Sequence, residues 1–137
     1  MLPRLGPLVF ALVFSFSVLA ASRSVWDSVY TKEQAVRGRT AYRSLCARCH
    51  GDALLGGENS PPLAGEDFLD KWNGKTVGEL VERTRKTMPS DGPGKISRRQ
   101  TTDLIAYLLS ENAYPAGKTE LEPDPVVLED IQIKPKP

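Results

Sequence analysis

The chain has 137 residues, with 18 Lys or Arg against 17 Asp or Glu, two cysteines and one histidine. Near-neutral charge argues against a nucleic-acid binder and gives no general pull toward anionic membranes. The length leaves room for one small domain with a modest core.

Residues 1–21 read as a cleavable export leader. Arg4 gives a weakly positive start, residues 7–19 run apolar, and Val18-Leu19-Ala20 with Ala21 offers small residues for cleavage. The apolar run is short for a membrane span and no charged stop follows it; retained uncleaved, it would anchor the protein at the outer face of the inner membrane. Cleavage would leave about 116 residues, with 17 basic and 17 acidic side chains.

Residues 22–30 read as a linker with one anchoring aromatic, Trp26. Thr31 and Gln34 have capping-box spacing and open a helix, along which Ala35, Gly38, Ala41, Tyr42 and Leu45 make an apolar stripe. Gly38 weakens that helix unless another backbone, here expected to be the last helix, must come close.

The helix runs into Cys46-Ala47-Arg48-Cys49-His50, the pattern that attaches a c-type haem. On one turn, two thiols reach the two vinyl groups on one edge of a porphyrin, and the following imidazole meets the iron. A thiol-redox reading wants a βαβ setting, and structural zinc wants about four ligands where three exist. A simple disulfide stays open beside the haem reading. Export and a covalently held apolar group at the centre of a small core both agree with haem.

Gly51, Gly56, Gly57 and Asn59 make residues 51–60 a loop. In Pro61-Pro62-Leu63-Ala64-Gly65 the prolines fix an extended backbone with free carbonyls. Either this is only a rigid turn, or a carbonyl accepts the Nδ1 proton of His50 and orients its ring. Phe68, Leu69 and Trp72 lie on a short helix as core residues; a buried Trp72 needs a partner for its indole N–H, and a haem propionate would serve.

Thr76 and Glu79 form a second capping box, and Val77, Leu80, Val81 and Thr84 carry a helix to Thr87-Met88-Pro89. Pro89 stops it, and residues 90–94 form an irregular loop. Met88 is the only methionine outside the leader. It is either core filler or a thioether offered to iron at a helix exit. Ser97 and Gln100 cap a last helix through Leu104, Ile105, Tyr107 and Leu108, which frays at residues 110–112. Beyond Pro115 the chain is rich in proline and charge, yet Leu121, Val126, Val127, Leu128, Ile131 and Ile133 predict a segment lying extended along the body, with disorder as the alternative.

Charge is uneven: residues 71–99 carry eight basic and three acidic side chains, residues 111–130 six acidic and one basic. Two solvated faces explain this; so does a basic rim steering an acidic redox partner to a haem edge.

These residues, over about 31–112, resemble the class I cytochromes c: Gly38 and Tyr42 on the first helix, Cys46-x-x-Cys49-His50, the Pro61-Pro62-Leu63-x-Gly65 loop, Met88-Pro89 and the residue 104–108 helix. Through Trp72-Asn73-Gly74-Lys75-Thr76 and Met88-Pro89 the chain is also similar to the mono-haem domains that accompany quinoprotein dehydrogenases. The resemblance implies an all-α, cytochrome c-like domain over residues 31–114, wrapped around one covalently bound haem c, with residues 115–137 as a Pro/acid-rich extension outside the family pattern. It implies thioethers at Cys46 and Cys49 and axial ligands His50 and Met88. It gives the Pro61 carbonyl, with Pro62 as near alternative, the His50 proton, and sets Leu63 and Trp72 against the cofactor.

The function so implied is an exported, periplasmic one-electron carrier between a dehydrogenase donor and a downstream acceptor. No nucleophile or acid–base pair stands out, so no enzymatic activity of its own is expected. Alternatives are a cytochrome subunit of a multi-chain dehydrogenase and, were Met88 off the iron, a ligand-sensing haem domain.

Overall fold

A computed structural model describes residue 1 and residues 22–137; the expected leader, residue 1 aside, lies outside the described residues. Helix α1 (Lys32–Leu45) runs into the single turn α2 (Ala47–His50), and α3 (Glu66–Trp72), α4 (Val77–Thr87), α5 (Arg98–Glu111) and the short α6 (Pro125–Glu129) follow. Two two-residue strands, β1 (Arg23–Ser24) and β2 (Ile131–Gln132), pair in parallel. The fold is all-α apart from that short ladder. Among the described residues no helix is long and apolar enough to cross a membrane.

The packing is centred on the crossing of α1 and α5. Gly38 makes it possible: a Cβ there would lie 1.8 Å from the Asp103 carbonyl oxygen and 2.9 Å from Tyr107 Cβ. Beside it the Tyr42 and Tyr107 rings tilt against each other at 5.3 Å. Leu104, Ile105, Leu108 and Leu109 carry the apolar face of α5 into the interior, and Phe68, Trp72, Leu80 and Val81 from α3 and α4 complete the same core.

Caps fix the helix starts. Both halves of the capping box form at Thr76–Glu79 and at Ser97–Gln100. At α1 only one half forms: the Thr31 hydroxyl accepts from Gln34 N at 3.1 Å. The Gln34 side chain is instead buried, donating to Leu121 O at 2.9 Å and accepting from Leu121 N at 2.7 Å. A fully buried amide must be satisfied at both ends, and a backbone peptide does that where one cap donor cannot.

The segment before α1 departs from expectation. Residues 22–30 are not a linker. Val25, Val29 and Tyr30 are buried in the core, and the Trp26 indole N–H donates to the carbonyls of Lys134 and Pro135 at 3.1 and 2.9 Å. The apolar positions here are too few to set up a period, so packing with a distant segment was invisible locally. That segment is the C-terminal one. Leu121, Leu128, Ile131 and Ile133 are buried, and Asp124 caps α6 with Pro125 in its first turn.

Glu82 joins α4 to α5, accepting from Arg98 Nη2 at 2.9 Å and Arg85 Nη1 at 3.1 Å. Arg98 first, then Arg85, hold its carboxyl below the usual range against partial desolvation. A carboxylate with a depressed folded value stabilises the fold above its unfolded pKa, and that support is lost as pH falls through the folded value. Glu82→Gln is therefore expected to flatten the acid limb of stability, measured as urea midpoints from neutral pH to below the ordinary glutamate value of about 4.3. Gly38→Ala pits a helix-propensity gain of about 1 kcal/mol against overpacking of about 1–3 kcal/mol. The obstructing atom is helix backbone, so overpacking is expected to win and chemical denaturation to show a net loss of stability.

Candidate functional site

A cavity of about 220 Å³ lies between α1–α2, the residue 59–63 loop, α3, α4 and α5. The structure brings every sequence-predicted site residue to its wall: Cys46, Cys49, His50, Pro61, Leu63, Trp72 and Met88. The remaining wall is mainly apolar, with Phe68, Leu80, Leu104, Ile105 and Leu108 prominent.

α1 delivers the cysteine turn. Its C-cap closes on Tyr42, with Cys46 N donating to Tyr42 O at 2.8 Å, and His50 N then donates to Cys46 O at 3.0 Å. The Tyr42 hydroxyl donates to Gly51 O at 2.7 Å and fastens the chain just after the histidine; burial pushes that hydroxyl's pKa up. Cys46 is half-buried and Cys49 exposed, both with free thiols. Burial first, and the neighbouring Cys49 second, push the Cys46 thiol up to about 11. Reactive thiols of Cys-x-x-Cys redox motifs have lowered values; the shift at Cys46 runs the other way.

His50 is buried, and its Nδ1 lies 2.8 Å from the Pro61 carbonyl oxygen. Pro61, not Pro62, supplies the acceptor. With the Nδ1 proton donated there, Nε2 is the nitrogen left for a ligand. Gly56 lets the loop return tightly: its φ is +78°, and a Cβ would stand 2.5 Å from Ser60 O and 2.8 Å from Pro62 N. Leu54, buried with φ +60°, accepts from Leu63 N at 2.8 Å.

Met88 is the C-cap of α4, its amide donating to Thr84 O at 2.8 Å, and its side chain is half-buried. Arg48, between the cysteines, pairs with Asp91, three residues beyond Met88. That exposed pair links the cysteine turn to the methionine loop. Trp72 is 8% exposed, with Lys75 Nζ 5.8 Å above its ring. The basic stretch is partly paired: Arg85, Lys86 and Arg98 meet Glu82, and Arg99 meets Glu120.

Asn112 was missed by the sequence reading, which took its region as fraying. Its side chain accepts from Gly65 N at 3.0 Å and donates to Leu63 O at 3.0 Å, tying the proline loop to the end of α5. An amide at a helix C-cap position was the available signal.

The donor set fits one haem. Two thiols one turn apart, an imidazole with one nitrogen fixed and the other free, and a thioether share a mainly apolar cavity. Among the described residues no cluster of three or more His, Cys, Asp or Glu is arranged to hold a metal ion by itself.

A solved structure, the sulfane dehydrogenase SoxCD from Paracoccus pantotrophus, is similar at 23% identity and a TM-score of 0.47, covering 65% of this chain and 53% of that one. This chain thus spans about half the length of the SoxCD chain it matches. No curated protein matches. Residues 33–108, more than half of the chain, match the family model described as cytochrome c oxidase, cbb3-type, subunit III. That match runs from the first turn of α1 into α5, over the helices that wall the cavity, so the chain belongs to this family and is an all-α class I c-type cytochrome, an electron carrier with one covalently bound haem c.

Proposed function

We propose that the protein is an exported, non-catalytic one-electron carrier that works outside the cytoplasm between a dehydrogenase donor and a downstream acceptor. The observation that carries this reading is the convergence on one apolar cavity of two thiols, the Met88 side chain and a buried imidazole held by Pro61. Haem c supplies an iron that cycles between ferric and ferrous states, one electron at a time.

In this reading Cys46 and Cys49 would hold the group by thioethers, and His50 and Met88 would supply the iron's protein ligands. The Pro61 carbonyl fixes the imidazole's tautomer and orientation and raises its basicity. Met88 favours the ferrous state, because a soft thioether raises the potential. With both His50 and Met88 as ligands, the protein would leave no position for oxygen or substrate, which favours a carrier over an enzyme or a ligand sensor.

The apolar walls keep water from the iron's surroundings, while exposed Cys49 marks where the cavity edge meets solvent. A partner needs only brief contact there. Lys71 and Arg83 also line the cavity and have no acidic partner among the described residues. They supply the positive charge that would draw an acidic partner. Membership of a family named for a terminal oxidase subunit supports a respiratory acceptor. A cleaved leader makes the protein periplasmic; a retained one tethers it to the outer face of the inner membrane.

Met88→Ala is expected to lower the reduction potential, abolish the sulfur–iron charge-transfer band of the oxidised protein and admit carbon monoxide to the reduced one. An unchanged potential and band would remove Met88 from the iron. Edman sequencing of the exported protein is expected to begin at or next to residue 22; a blocked or intact Met1 start would favour the tethered form.

A further inference from the structure

The family match ends at residue 108, and among the described residues none beyond Leu108 lines the cavity. The segment after it is nonetheless built into the fold. Its large apolar residues mostly face inward: Leu121, Leu128, Ile131 and Ile133 are each 2% exposed or less, and among the large apolar side chains of this segment only Val126 is open, at 79%. An arm made to seize a partner keeps its apolar side chains outside. This one has buried nearly all of them against its own body.

Where it lies is specific. Ile133 clamps the turn between α3 and α4 from both sides of its own peptide: its carbonyl accepts from Gly74 N at 2.9 Å and its amide donates to Lys75 O at 2.8 Å. Next to it Thr76 bridges to Gln132. The Thr76 hydroxyl, which caps α4 by accepting from Glu79 N at 3.0 Å, donates to Glu129 Oε2 at 2.7 Å. Glu129 lies over Gly78, where a Cβ would stand 2.4 Å from its Oε1. A carboxylate is electrostatically favoured beside a helix N-terminus.

α4 starts at this junction and ends at Met88, about 16 Å along a rigid helix. Glu82 and Arg98 secure the face toward α5; α6 and β2 secure another. The same segment is moored at its far end to α1 and its approach, through Gln34–Leu121 and the Tyr30 O to Gly117 N bond of 2.7 Å.

We infer that residues 125–133 are a brace that fixes α4, and through it Met88, with Leu128, Glu129 and Ile133 as positioning residues. The inference rests on the reading of Met88 as an iron ligand. Without the brace α4 keeps its contacts with α5 but loses the grip on its first turn, and Met88 is released more often.

The test uses ferric holoprotein, the saturating rate at which imidazole replaces Met88, and amide hydrogen exchange along α4. Ile133→Ala is expected to raise that rate at least about tenfold, as a local opening made easier by a core truncation, and to speed exchange at residues 84–88. Glu129→Ala, at an exposed position and so safe for folding, is expected to move both in the same direction by a smaller factor, and Glu129→Gln, which still accepts from Thr76, to recover most of the change. Leu121→Ala truncates the C-terminal segment ahead of the brace, at its α1 mooring. It is expected to lower the thermal midpoint while leaving the imidazole rate and α4 exchange as in the wild type. Equal acceleration by Leu121→Ala and Ile133→Ala, or acceleration by neither with the sulfur–iron band present, overturns the brace alone. Absence of that band from the wild type removes the Met88 reading, and the proposal with it. Slower electron transfer to a partner redox protein in the Glu129 variant, at an unchanged imidazole rate, would make the segment a docking arm and also overturn it.

Discussion

A 2.8 Å contact between His50 Nδ1 and the Pro61 carbonyl joins the two halves of the site. One half is the end of α1 with its cysteine turn; the other is a loop that has no regular structure to hold it. Proline at 61 and 62 removes two donors and most backbone freedom, so the carbonyl is presented without help from a strand or helix. Gly56 admits the close return of the loop, and Asn112 ties its far side to α5. Remove the contact and the imidazole loses its tautomer, its orientation and its reason to be buried.

The helices serve that geometry. α1 and α5 approach closely enough that no side chain fits at position 38, which sets α1's end, and so both thiols, against the apolar face of α5. α4 runs from a firmly held first turn to Met88 at its exit. The two elements that carry the prospective ligands are therefore each fixed at the end remote from the ligand, one by packing and one by caps and pairing.

Much of this is written locally. Cys46-x-x-Cys49-His50 states its chemistry in five residues, and the Thr76–Glu79 and Ser97–Gln100 boxes announce their helices because capping involves near neighbours. Gly38 was legible as a close approach, because a helix bears that cost only for packing. Signals that depend on distant segments were not legible. The pairing of β1 with β2 joins Arg23 to Ile131, and no pattern within nine residues could reveal that Val25, Val29 and Tyr30 are core. Gln34 reads as a capping partner until Leu121, 87 residues away, is seen beside it. Asn112 reads as fraying until the proline loop folds onto it. The choice between Pro61 and Pro62 depended on loop curvature, which Gly56 sets and composition does not encode.

The central claim is that this cavity is shaped around a porphyrin bonded to Cys46 and Cys49. Its most direct measurement is the visible spectrum and haem stain of exported protein after denaturation in detergent, where only covalent attachment keeps colour with the polypeptide. A stained band at the polypeptide's mass, with the reduced spectrum of a two-thioether haem, is the predicted result. A colourless band with both thiols free, or joined to each other, would contradict the account.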